Sequence, residues 1–159
     1  MINLENALPT PPNLFAEIVL LFDHDFPIEQ VNARLGLNPT ESKRQFQTRI
    51  NPMTQEKNPG FWLFQTEVIS SFDIKPLLQM IDNFLSAHST GLHEVIQQYS
   101  PSCFILRIRV LVQQEDEYPS IRLDPEILQR LSSFNASIEI DVDNDFILSV
   151  DKPEEISIN

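Results

Sequence analysis

Seven carboxylates fall in two short runs. Glu115, Asp116 and Glu117 are consecutive, and Glu139, Asp141, Asp143 and Asp145 alternate with other residues. Alternating carboxylates offer hard oxygens to a calcium ion. A calcium loop starting at Asp141 needs glycine sixth and glutamate twelfth, where Phe146 and Lys152 stand. The run therefore reads as one acidic face of a strand and a turn, with no metal site expected. Cations gather at Lys43, Arg44 and Arg49, with Lys57 in the following loop. Together with Trp62 they form a candidate site for a phosphate or an acidic peptide. Cys103 and one of His24, His88 or His93 could supply a nucleophile and a base. Cys103 opens an apolar run, however, where a free thiol is commonly buried and inert. His88 and His93 are separated by Gly91 and do not share a helix face as a zinc pair would. The chain contains no G-x-S-x-G elbow, Walker loop or dinucleotide fingerprint. Neither a catalytic residue nor a cofactor is expected.

The charge balance narrows the partners. The chain of 159 residues has a formal net charge of −12. Residues 1–114 carry a net of −3 and residues 115–159 a net of −9. Binding nucleic acid depends on neutralising phosphates with Lys and Arg, so DNA and RNA are disfavoured. An anionic membrane surface is disfavoured for the same reason. A basic protein partner fits, and so does solubility alone. Three glycines exclude a collagen repeat, and one cysteine excludes a disulfide scaffold. No apolar run approaches the roughly 20 residues of a membrane helix. No basic residue precedes the apolar segment Leu14–Phe22, which Glu17 interrupts, so no secretory signal is expected. A cytoplasmic location follows as the expectation.

The elements that must position these residues are legible from periodicity. At 42% hydrophobic and 21% charged, the chain can bury a core as one domain. Residues 1–13 read as a flexible arm, 14–150 as a single domain, and 151–159 as an acidic tail. Glu17–Asp23 reads as a buried strand. Asp25 and Pro27 start a helix with Val31 and Leu35 inward, closed by Gly36. Phe46–Ile50 and Phe61–Ile69 read as strands flanking a loop over residues 51–60. Asp73 caps a main helix whose Ile74, Leu77, Leu78, Ile81 and Leu85 form one stripe. That helix is expected to break near Gly91, with a shorter one over Leu92–Gln98. Phe104–Val112 alternates most strongly and suits a central strand. Asp124-Pro125 starts a helix with Ile127, Leu128, Leu131 and Phe134 inward. Ile138, Ile140 and Val142 alternate with the acidic row, and Phe146–Val150 reads as one strand more. Short hairpins and one-sided alternation give the α+β class: about five mainly antiparallel strands with two or three helices packed on them.

The segment Val31-Asn32-Ala33-Arg34-Leu35-Gly36-Leu37-Asn38-Pro39-Thr40, followed by Trp62 and then by Ser120-Ile121-Arg122-Leu123-Asp124-Pro125-Glu126-Ile127-Leu128, resembles a bacterial family known only as domain of unknown function 4279. The resemblance spans roughly residues 17–143 and implies a small α+β domain with no established activity. Some relatives look like immunity proteins that bind and block a cognate toxin. Gln45-Phe46 stands where members often have Gly-Glu, and Val142-Asp143 where the last strand often ends in an aromatic residue. Leu35, Gly36 and Pro39 are expected to shape a helix end, and Trp62 to join the core.

The leading expectation is a non-enzymatic binding protein, most sharply an immunity protein. It would meet a basic toxin through Glu115, Asp116, Glu117, Glu139, Asp141, Asp143 and Asp145. An enzyme or small-molecule binder anchored at Lys43, Arg44, Arg49 and Trp62 is the alternative. A regulatory or assembly module, monomeric or weakly dimeric, is a third.

Overall fold

The computed structural model describes residues 8–44, 60–113 and 118–144. Ten elements follow in order: β1 (Asn13–Phe22), α1 (Ile28–Leu35), β2 (Glu41–Lys43), β3 (Gly60–Gln65), β4 (Ile69–Ser70), α2 (Lys75–Ala87), α3 (Ser89–Tyr99), β5 (Cys103–Val112), α4 (Pro125–Ser133) and β6 (Ser137–Asn144). The sheet runs β2-β3-β1-β5-β6, with β4 paired to β1 beside β3. Every pairing is antiparallel except β5 with β6, which are parallel and joined through α4. The α+β class is as the periodicity indicates, and the described residues hold six strands and four helices.

Alternation along the two central strands divides the sheet into two faces. Leu14, Ala16, Ile18, Leu20 and Phe22 of β1 are fully buried, as are Leu106, Ile108, Val110 and Val112 of β5. They join one core with Leu77, Leu78, Ile81 and Leu85 of α2, Val31 and Leu35 of α1, Leu92 and Val95 of α3, and Ile127 and Leu131 of α4. Burial of this continuous apolar surface is what holds the helices to the sheet. The second face carries Phe15 and Glu17 of β1, Arg107 and Arg109 of β5, and Glu139, Asp141 and Asp143 of β6, by the register of the pairs.

The local signals act as their chemistry requires. Gly36 takes φ 69° after α1, and its N–H and that of Leu37 both bond to the Asn32 carbonyl. Asp73 Oδ1 accepts the Lys75 N–H at 3.0 Å at the start of α2. Asp124 precedes Pro125, the first residue of α4.

Five local expectations are corrected. The first strand begins at Asn13 and not at Glu17, which lies in its interior with its carboxylate held by Arg107 of the neighbouring strand. The strand read over Phe61–Ile69 is interrupted: Phe15 and Ala16 of β1 lie opposite three residues, Thr66, Glu67 and Val68, a bulge between β3 and β4. Thr66 is buried there, and its Oγ1 accepts the Ala16 N–H at 2.9 Å. The helix break comes at His88, and Gly91 lies inside α3. A Cβ on Gly91 would stand 2.4 Å from the Arg34 carbonyl oxygen, so the glycine permits close approach of α3 to α1. Leu128 is 43% exposed, because α4 turns Ile127 and Leu131 inward and only one flank meets the core. Cys103 is exposed, since it lies at the first position of β5 opposite Leu21. The strands read over Phe46–Ile50 and Phe146–Val150, most of the 51–60 loop, and the 151–159 tail lie outside the described residues.

Candidate functional site

The acidic row occupies the last strand of the sheet. β6 alternates because a strand points successive side chains to opposite faces. Glu139, Asp141 and Asp143 therefore share the face of Arg107 and Arg109, in the register Arg107 opposite Glu139 and Arg109 opposite Asp141. Glu17 faces Arg107 from the other side. Arg107 thus bridges three strands: Nη1 donates to Glu17 Oε2 at 3.0 Å, and Nε donates to Glu139 Oε2 at 2.8 Å. Asp141 Oδ2 lies 3.6 Å from Arg107 Nε. Arg109 Nη2 donates to Asp143 Oδ2 at 2.7 Å. Its Nε is buried without a hydrogen-bond partner and stands 4.0 Å from Asp141 Oδ2. The Arg109 guanidinium also lies over the Phe15 ring, 5.9 Å from its centroid.

Four carboxylates thus share two guanidiniums, leaving this face net negative. Partial burial disfavours the charged form of Arg107, but hydrogen bonds to Glu139 and Glu17, together with their charges, outweigh it and raise its pKa above the ordinary arginine value. Arg107 and Arg109 are absent from the candidate site residues of the sequence; their alternate positions on β5 mark a charged face but not the strand that it meets. Glu17 carried no such signal, because a single charge within an apolar run gives no indication of its partner.

The ladder does not remove the carboxylates from solvent. The side chains of Glu139, Asp141 and Asp143 remain 44%, 48% and 47% exposed. On the other face of the same strand, Ile140 and Val142 are each 45% exposed. Glu115, Asp116, Glu117 and Asp145 lie outside the described residues.

Of the second candidate site, Lys43, Arg44 and Trp62 lie among the described residues. Lys43 is exposed on β2, opposite Phe61. Arg44 Nε lies 3.2 Å from Asp25 Oδ1 and donates to the Phe26 carbonyl at 3.2 Å. Trp62 is completely buried, and its Nε1 donates to Asn32 Oδ1 at 2.8 Å. It therefore offers no surface to a ligand. Arg49 lies outside the described residues, as does Lys57. A groove of about 240 Å³ lies between α2 and α4, lined by Lys75, Gln79, Asp82, Asp124 and Glu126. Arg130 Nε approaches Asp82 Oδ1 to 2.9 Å across these helices, at an angle too oblique for a hydrogen bond.

Two of the three histidines, His88 and His93, meet backbone carbonyls within the fold. His88 Nδ1 meets the Leu35 carbonyl at 2.8 Å at the end of α1, and the ring packs on Phe84. His93 Nδ1 meets the Ser89 carbonyl at 2.8 Å, with its ring on Phe134. Among the described residues no group of three His, Cys, Asp or Glu side chains could hold a metal ion. No helix among them is long and apolar enough to cross a membrane.

A six-stranded sheet with its helices against one face and a charge ladder on the other defines a small α+β domain. The chain belongs to the family described as Domain of unknown function (DUF4279), whose model matches residues 13–145. That span runs from the first residue of β1 to just past the end of β6. No curated protein and no solved structure matches the chain.

Proposed function

We propose that this chain is a non-enzymatic protein-binding domain that meets a basic partner through the acidic side of β6. The observation that carries this reading is the exposure of that strand. Glu139, Asp141 and Asp143 stay nearly half exposed although two arginines reach them. Hydrogen bonds from Arg107 and Arg109 hold Glu139 and Asp143 in place, and the excess of carboxylates over arginines provides a field that attracts cations. Fixed charges of one sign accelerate encounter with a partner of the other sign. Within this reading, the sharper proposal is an immunity protein that blocks a basic toxin by occlusion. We place this activity in the cytoplasm, where a reducing environment suits the exposed thiol of Cys103.

The test is a tagged pull-down from the native cell lysate at low and at high salt, read by mass spectrometry. A stoichiometric basic partner that leaves at high salt supports the reading. A partner that is acidic, or one retained unchanged at high salt, contradicts it.

A further inference from the structure

We infer that the outer edge of β6 is a strand-addition site for an extended segment of the basic partner in which cationic and apolar side chains alternate. The inference rests on the proposed function and specifies how the partner is held. β6 ends the strand order, and among the described residues β5 is the one strand that pairs with it. An unpaired edge presents backbone N–H and C=O groups to an incoming chain. Added strands lie about 4.8 Å away, with side chains in register on both faces.

The two faces of β6 define the occupant. On one face, Glu139, Asp141 and Asp143 would meet every second side chain of the added strand. Opposite charges at such positions attract, and like charges repel. A second copy of β6 would set carboxylates against carboxylates, so self-pairing is disfavoured and a basic strand is selected. On the other face, Ile140 and Val142 are each 45% exposed. An apolar side chain beside them would cover that surface. The alternation of β6 thus calls for the complementary alternation in its partner. Arg107 and Arg109 reach the carboxylates from the β5 side and leave the outer side to the partner's cations.

The test uses the full chain and two synthetic peptides. One alternates, Lys-Val-Lys-Ile-Lys-Val-Lys. The other has the same composition in blocked order, Lys-Lys-Lys-Lys-Val-Ile-Val. Calorimetry gives the affinities, and amide hydrogen exchange reports on Ser137–Asn144. The alternating peptide is expected to bind about tenfold more tightly than the blocked one and to slow exchange of the β6 amides. Ile140→Lys is expected to abolish that preference. Equal affinity for both peptides, without β6 protection, overturns the inference and leaves the basic-partner reading standing. Slow exchange along both edges of β6 in the free chain also overturns it, because the edge is then already occupied, by residues 145–159 or by a second copy. Preferential binding of the alternating peptide by a chain that captures no basic protein supports the edge site and removes the proposed function.

Discussion

Glu17 of β1 lies directly opposite Arg107 of β5, and their side chains meet at 3.0 Å on a face of the sheet that is otherwise partly exposed. The Glu17 side chain is 11% exposed and that of Arg107 is 25% exposed, so this pair lies between a surface and a buried ion pair. Surface pairs contribute at most about 1 kcal/mol. Breaking a buried pair costs about 3–5 kcal/mol, because one charge is left uncompensated. Glu17→Ala is therefore expected to lower stability by about 2 kcal/mol, between those limits. Urea denaturation measures this. Glu139→Ala, which removes the more exposed carboxylate, should cost about 0.5 kcal/mol. Equal losses at the two positions would show that burial does not rank the members of the ladder.

The two described glycines with a structural reason should respond differently to alanine. Gly91→Ala places a methyl group against the backbone of Arg34, where no side chain can yield. Overpacking of this kind costs about 1–3 kcal/mol, which exceeds the gain of about 1 kcal/mol from replacing a helical glycine. Gly36→Ala meets nothing within 4 Å but must hold φ 69°. Its cost is the left-handed strain of about 1–2 kcal/mol. The discriminating readout is hydrogen exchange at the α1–α3 contact. Gly91→Ala should accelerate it in both helices, and Gly36→Ala only at the end of α1.

Trp62 is the single tryptophan and is completely buried. Its emission should be blue-shifted in the native chain and should move red on unfolding, which makes it a direct reporter. Asn32→Ala leaves the indole N–H without its partner and should cost about 1–3 kcal/mol. Thermal unfolding followed at Trp62 checks this. An unchanged midpoint would mean that the Asn32 bond contributes nothing net.

These positions show which parts of the structure could be read in the sequence. The stripe of α2 and the alternation of β5 were legible because each records which side of one element faces the core. Gly36 was legible because a helix end needs positive φ, a local requirement. Gly91 reads as a helix break in the sequence, whereas its reason lies in the approach of α1, many residues away. Thr66 gave no signal, since a hydroxyl that substitutes for a backbone carbonyl looks like any strand threonine. The parallel direction of β6 was hidden because alternation is the same in either direction. Of the candidate site, the acidic face of β6 was legible. Its engagement by Arg107 and Arg109 depends on strand order, which alternation does not encode.

The proposed function makes a kinetic prediction about that face. Electrostatic steering raises the association rate and makes it fall with ionic strength. Carboxylates on β6 should therefore act on the on-rate, and where they touch the partner on the off-rate as well. Asp143→Asn keeps a carbonyl oxygen that can accept from Arg109 but removes the charge that assists the 2.7 Å bond. Its stability loss and its slower association should be separable by comparing thermal unfolding with surface plasmon resonance. Association and dissociation rates both unchanged in the variant would contradict a role for Asp143 in binding.

The most direct test of the central claim is the association rate of the captured basic partner as a function of salt, for the wild-type chain and for the double variant Glu139→Gln with Asp141→Asn. Thermal unfolding first establishes that the variant is folded. The wild-type rate is expected to fall steeply with ionic strength, and the variant to associate more slowly with a flatter dependence. Identical rates and identical slopes for the two chains would contradict a role for the acidic side of β6 in binding.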